Sequence, residues 1–149
     1  MGTVVHATDA ITDFSIAAAI FCVDCRFTGN QEHFAALREH LNLEKIYEHR
    51  IAGPDLRLSE KHERCFETAL FQVGEVSELT GTKLCLVGGH GNCARHAVTD
   101  EEHRKDTLTA AENVAASLAD DWVVLPLFFP LVGKGASGED QWGIEILKK

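Results

Sequence analysis

Two short stretches of this chain carry residue types that do chemistry, at spacings that matter. The first is Cys22-Val23-Asp24-Cys25-Arg26, closing an apolar run from Ile16 to Val23. The second is His90-Gly91-Asn92-Cys93, in a segment loosened by Gly88, Gly89 and Gly91. In an extended chain alternate residues share a face, so Cys22, Asp24 and Arg26 point one way and Val23 and Cys25 the other. Burying such groups at a strand end is costly unless they are paired or bound to metal. Cys22, His90 and Cys93 together supply two thiolates and an imidazole. Three ligands of this kind suit Zn²⁺ and leave a fourth position for water. The softness of thiolate argues against Mg²⁺ or Ca²⁺.

Asp24 lies two residues from a ligand. It is either an acceptor for zinc-bound water or the fourth ligand itself. Arg26, on the same face, can clamp a carboxylate through two parallel hydrogen bonds, which would hold Asp24 ionised and off the metal. A Lewis acid, a water of lowered pKa and an oriented acceptor are the components of zinc-assisted hydration.

The elements that must position these groups read as an α/β fold. Residues 16–23 form a buried strand. Residues 31–41 form a helix with Phe34, Leu37 and Leu41 on one face. Lys45 to Ile51 is a second strand, stopped by Ala52-Gly53-Pro54. Ser59 is expected to cap a long helix whose stripe runs Cys65, Phe66, Ala69, Leu70, Val73, Val76 and Leu79, and Gly81 ends it. A third strand contains Leu84 to Val87. Thr99 and Glu102 form a capping box for a helix buried through Leu108, Ala111, Ala115 and Leu118.

Trp122 to Phe129 is a strand apolar on both faces. Gly133 to Asp140 reads as a turn, and Trp142 to Leu147 as a final edge strand. Strands alternating with helices imply a mainly parallel central sheet flanked by helices, with ligands beyond the carboxyl ends of the strands. Both reactive stretches fall at such ends. His33, His40, His62 and His103 fall on helices and are expected in solvent. His96 is expected at the surface, with proton transfer as a second possibility.

The 149 residues fit one domain, 1–149, with residues 1–14 as an N-terminal arm that can pack on a partner subunit. Fourteen basic against 23 acidic side chains leave a formal charge of −9, which argues against nucleic acid and anionic membrane as partners. The arm lacks the basic start of a secretory signal, and the longest apolar runs are too short to span a bilayer. Five cysteines, an odd number, suit a reducing cytoplasm better than a disulfide scaffold. Cys65 and Cys85 sit in apolar patterns and read as core thiols.

Cys-x-Asp-x-Arg at 22–26 followed by His-x-x-Cys at 90–93 resembles the β-class carbonic anhydrases. Arg50-Ile51-Ala52-Gly53 also resembles that family's Arg-x-Ala-Gly segment. The resemblance covers roughly residues 16–147. It implies a zinc lyase: Cys22, His90 and Cys93 hold zinc, and Asp24 and Arg26 form the catalytic dyad. Zinc-bound hydroxide then hydrates carbon dioxide reversibly to bicarbonate. It further implies a C-terminal antiparallel edge strand and a homodimer or higher homo-oligomer. The sequence departs from the family at Cys25, Gly91 and Ala94, where Ser, Thr and Gly are usual. Two other readings stand beside this one. The same site could hydrolyse CS₂ or COS. Alternatively, Cys25 could be a fourth ligand, closing the site into a non-catalytic, zinc-stabilised binding module.

Overall fold

The computed structural model describes residues 1–24 and 31–149. Cys25 and Arg26 lie outside the described residues. Among those described, six strands form one sheet: β1 (Thr3–Val4), β2 (Ile16–Cys22), β3 (Lys45–Ile51), β4 (Leu84–His90), β5 (Val123–Phe129) and β8 (Glu145–Ile146). The order is β1-β5-β4-β2-β3, all parallel, with β8 antiparallel on β5. β6 (Leu131–Lys134) and β7 (Asp140–Trp142) form a separate antiparallel ribbon. The helices are α1 (Gln31–Leu41), α2 (Pro54–Ser59), α3 (Glu63–Thr80) and α4 (Asp100–Ser117). No helix among the described residues is long and apolar enough to cross a membrane.

Period-two alternation divides the sheet between two cores. Ala17, Ala19, Phe21, Leu84, Leu86, Leu125 and Leu127 face α1, with Phe34, Leu37 and Leu41. Ala18, Ile20, Cys85, Val87 and Val124 face α3 and α4 through Phe66, Ala69, Val73, Ala111 and Val114. Pro126 is tolerated in the interior strand β5 because of where its missing N–H would point. Its carbonyl accepts from Leu147 N (3.0 Å) on the outer side, in the interval where β1 has ended and β8 begins.

Several elements differ from the sequence reading. Ser59 ends α2 instead of capping the long helix, and Gly53 (φ +62°) with Pro54 at its first position starts that short helix. His62 caps α3, its ring accepting from Cys65 N. Leu79 is 74% exposed and stands outside the α3 stripe. The buried face of α4 keeps Ala111 and Ala115 but is rotated toward His103, Thr107, Ala110 and Val114, so it includes two polar residues. Trp142 to Leu147 splits, Trp142 closing β7 and Glu145–Ile146 forming the antiparallel edge. The segment expected to be a turn after Gly133 begins inside β6. The N-terminal arm joins this chain's own sheet through β1.

His33 and His103 are buried, not solvated, and His96, expected at the surface, is buried too. The His33 ring packs edge-on against Phe34 and Phe129. Burial lowers its pKa from 6.5 to about 4. The folded state thus resists a proton that the unfolded chain accepts. His33 costs no stability above pH 6.5, and its penalty grows as pH falls from 6.5 toward 4. The slope in that window is at most about 1.4 kcal/mol per pH unit. Urea midpoints measured across this range should flatten in a His33→Gln variant.

Two glycines of β4 permit close approach on opposite faces. A Cβ on Gly88 would lie 2.7 and 2.8 Å from the rings of Phe21 and Phe129, which pack edge to face. Gly88→Ala should therefore lose about 1–3 kcal/mol in urea unfolding, the usual cost of overpacking. An unchanged midpoint would show that the two rings yield freely.

Candidate metal centre

β2 pairs with β3 on one side and with β4 on the other. This is the point where strand order reverses, the place beyond the carboxyl ends where sheets of this kind bind ligands. Cys22 is the last residue of β2 and His90 the last of β4. Gly91 N donates to Phe129 O (2.9 Å), carrying the chain over the sheet edge. Asn92, at φ +52°, then turns it back so that Cys93 returns toward Cys22. The donor atoms of Cys22, His90 and Cys93 all lie within 4.8 Å of one another, and all three residues are buried.

The two sulfurs are 3.8 Å apart and share a hydrogen bond. Cys22 is the more acidic thiol, lowered to about 6. The main cause is the hydrogen bond from Cys93; burial opposes it, and the backbone N–H groups of Gly53 and Asp24 add to it. The Asp24 N–H lies 3.4 Å from that sulfur. Cys93, as the donor of this pair, holds its proton up to about 12. Together the pair loses one proton readily and keeps the second.

His90 Nδ1 lies 2.8 Å from Gly91 O. A carbonyl only accepts, so Nδ1 carries the proton and Nε2 keeps its lone pair, as a ligand imidazole requires. The ring stands edge-on to Trp142 at 5.2 Å. Two thiols, one of them already acidic, and an imidazole in the ligand tautomer therefore fit a tetrahedral Zn²⁺ donor set.

The family comparison bears on this geometry. The model of the family described as "Putative carbonic anhydrase" matches residues 12–131, most of the chain and all three of these donors. The chain belongs to that family. Neither the curated proteins nor the solved structures yield a match.

Of the five residues singled out in the sequence, the structure brings Cys22, His90 and Cys93 together and places Asp24 beside them, half-buried. Arg26 and Cys25 lie outside the described residues, and so does any Asp24–Arg26 pairing. Arg50 has a definite place. It donates to Cys22 O (3.1 Å) and Glu48 (2.6 Å) and covers the Phe34 ring at 4.8 Å, pinning the end of β2 to β3. The sequence reading named Gly53 as a strand stop and in the Arg-x-Ala-Gly segment, but gave it no contact with the Cys22 thiol, which its N–H reaches. Its signal was the Gly-Pro pair at a strand-to-helix switch, where backbone donors are exposed.

Thiol chemistry tests the arrangement. In metal-free protein at pH 7, Cys22 should be alkylated before Cys93. Cys85, fully buried and raised to about 12, should not react. Added zinc should abolish Cys22 labelling, mapped by mass spectrometry, and leave half-exposed Cys65 unchanged. Cys22 labelling indifferent to zinc would contradict the assignment of this centre.

Proposed function

We propose that this chain is a zinc-dependent carbonic anhydrase that interconverts carbon dioxide and bicarbonate. The supporting observation is the convergence of Cys22, His90 and Cys93 at the switch point of the sheet, in a chain of that family. Zinc, when bound, supplies a Lewis acid and lowers the pKa of water to near neutrality.

The chain's own residues account for the remaining steps. Cys22 and Cys93 hold the cation as thiolates, and the N–H groups of Gly53 and Asp24 spread the negative charge on Cys22. The Gly91 carbonyl fixes the His90 tautomer. Asp24 accepts a hydrogen bond from the attacking water and fixes its direction. Arg26 keeps Asp24 ionised, so that it accepts a proton and stays off the metal. A homodimer or higher homo-oligomer in the cytoplasm belongs to the same proposal.

Stopped-flow CO₂ hydration by the zinc-loaded protein is the direct test. A rate no greater than buffer, with zinc bound, would overturn the proposal. Asp24→Ala should retain zinc and lose roughly 10²-fold or more in kcat, the scale of a removed proton acceptor. Cys25→Ser should retain both zinc and activity. Loss of zinc from that variant would instead make the site a closed structural one.

A further inference from the structure

We propose that Asp55, His96 and Asp106, with His103 behind them, form a second divalent-cation site, distinct from the thiolate centre. Three elements converge on it. Asp55 lies in the first turn of α2, His96 in the loop after β4, and His103 and Asp106 three residues apart on α4. That spacing puts the last two on one helix face. His96 Nε2 is 2.7 Å from Asp106 Oδ2 and 3.9 Å from Asp55 Oδ2. These separations bracket the edge of a coordination polyhedron with ligand bonds near 2.1 Å. The donor atoms of Asp55, His96 and His103 all fall within 4.8 Å of one another.

Charge is the physical argument. Asp55 is 1% exposed and His103 0%. The ion pairs of Asp55 and Asp106 among the described residues are to histidines alone. Two carboxylates in this setting need two units of positive charge. One dication supplies both at a single point between them. His103 Nε2 is buried and has no hydrogen-bond partner, so it gives this cluster no charge-neutralising contact of its own. The tautomer that fits has a proton on Nδ1 alone, donated to Asp55 Oδ2 at 2.6 Å. Through that hydrogen bond His103 orients the Asp55 carboxylate as an outer-shell partner of a metal ligand does. A divalent cation in place of the His96 Nε2 proton neutralises the pair.

One imidazole and two carboxylates, with no sulfur, form a harder donor set than Cys22, His90 and Cys93. Such a set takes Mn²⁺, Co²⁺ or Zn²⁺ of the first-row series. Asp106, 18% exposed, leaves a way in from solvent. The cation would tie α2, the loop after β4 and α4 together. Gly53, two residues before Asp55, gives its N–H to Cys22, so the two centres share one short segment.

Metal stoichiometry separates the sites without any assay of turnover. Wild-type protein dialysed against Co²⁺ should hold two equivalents. The Cys22→Ser/Cys93→Ser variant should hold one, with d–d absorption and no thiolate charge-transfer band. His96→Gln and Asp106→Asn, both at the rim of the cluster, should each hold one equivalent and keep the full thiolate band. A single equivalent in the wild type would overturn the second site. So would a folded double-cysteine variant, checked by circular dichroism, that binds no Co²⁺. If the double-cysteine variant fails to fold, the rim variants decide. Two equivalents retained in both would refute the assignment, and the proposed hydration activity would stand or fall independently.

Discussion

Two sulfur atoms 3.8 Å apart at the end of a buried sheet cannot both be thiolates without a cation, and most of the structure near Cys22 answers that constraint. Without metal, Cys93 keeps its proton and donates it to Cys22. The Cys22 charge then spreads onto two backbone N–H groups. These donors come from chain segments on either side of the sulfur, Asp24 just after β2 and Gly53 just after β3. Both are in place because β2 and β3 are paired from Ile16↔Lys45 to Cys22↔Ile51. Register thus decides acidity. A one-residue slip would turn Cys22 to the other face and leave Gly53 pointing at nothing.

The same constraint explains why glycines crowd the end of β4. His90 must end a strand buried along its whole length, yet Cys93 must return to Cys22 within three residues. Gly88 lets the Phe21 and Phe129 rings meet beneath the site. A Cβ on Gly89 would lie 2.3 Å from Thr107 Oγ1 and 3.3 Å from Asp55 Cβ, on the face of the second cluster. One strand end therefore has the candidate metal centre on one side and a carboxylate–imidazole network on the other, and neither leaves room for a side chain between them.

Much of this was legible in the sequence for identifiable reasons. Strands such as Lys45–Ile51 and the helix Gln31–Leu41 carry strong periodicity between clear stop signals, and both appear with the bounds expected of them. The clustering of Cys22, His90 and Cys93 was legible because donor sets are constrained by residue type as well as by spacing. The boundary near Ser59 failed because two N-caps compete there. The chain spends Gly53-Pro54 on a six-residue helix first, so the residues before Glu63 act as its end and Ser59 cannot cap the next. Leu79 failed because it sits in the last turn before Gly81, where the helix runs past the sheet and has nothing to cover it.

His103 is the more instructive failure. Read by hydropathy, α4 has its apolar stripe at Leu108, Ala111, Ala115 and Leu118. The face that is buried keeps Ala111 and Ala115 but runs through His103, Thr107, Ala110 and Val114 in place of Leu108 and Leu118. The shift is about one residue's rotation, and its cause is that two polar residues are satisfied inside: Thr107 donates to His103 O at 2.7 Å, and His103 to Asp55. A pattern that scores polar residues as outward-facing cannot find a stripe that includes them. The buried partner, Asp55, is 48 residues away in sequence and on a different helix. Only the fold makes these residues neighbours, and once it does, their charges must be balanced locally. The thiolate centre and the carboxylate–imidazole cluster thus pose the same electrostatic problem with different donors, which is why the physical reasoning that identifies the first also leads to the second.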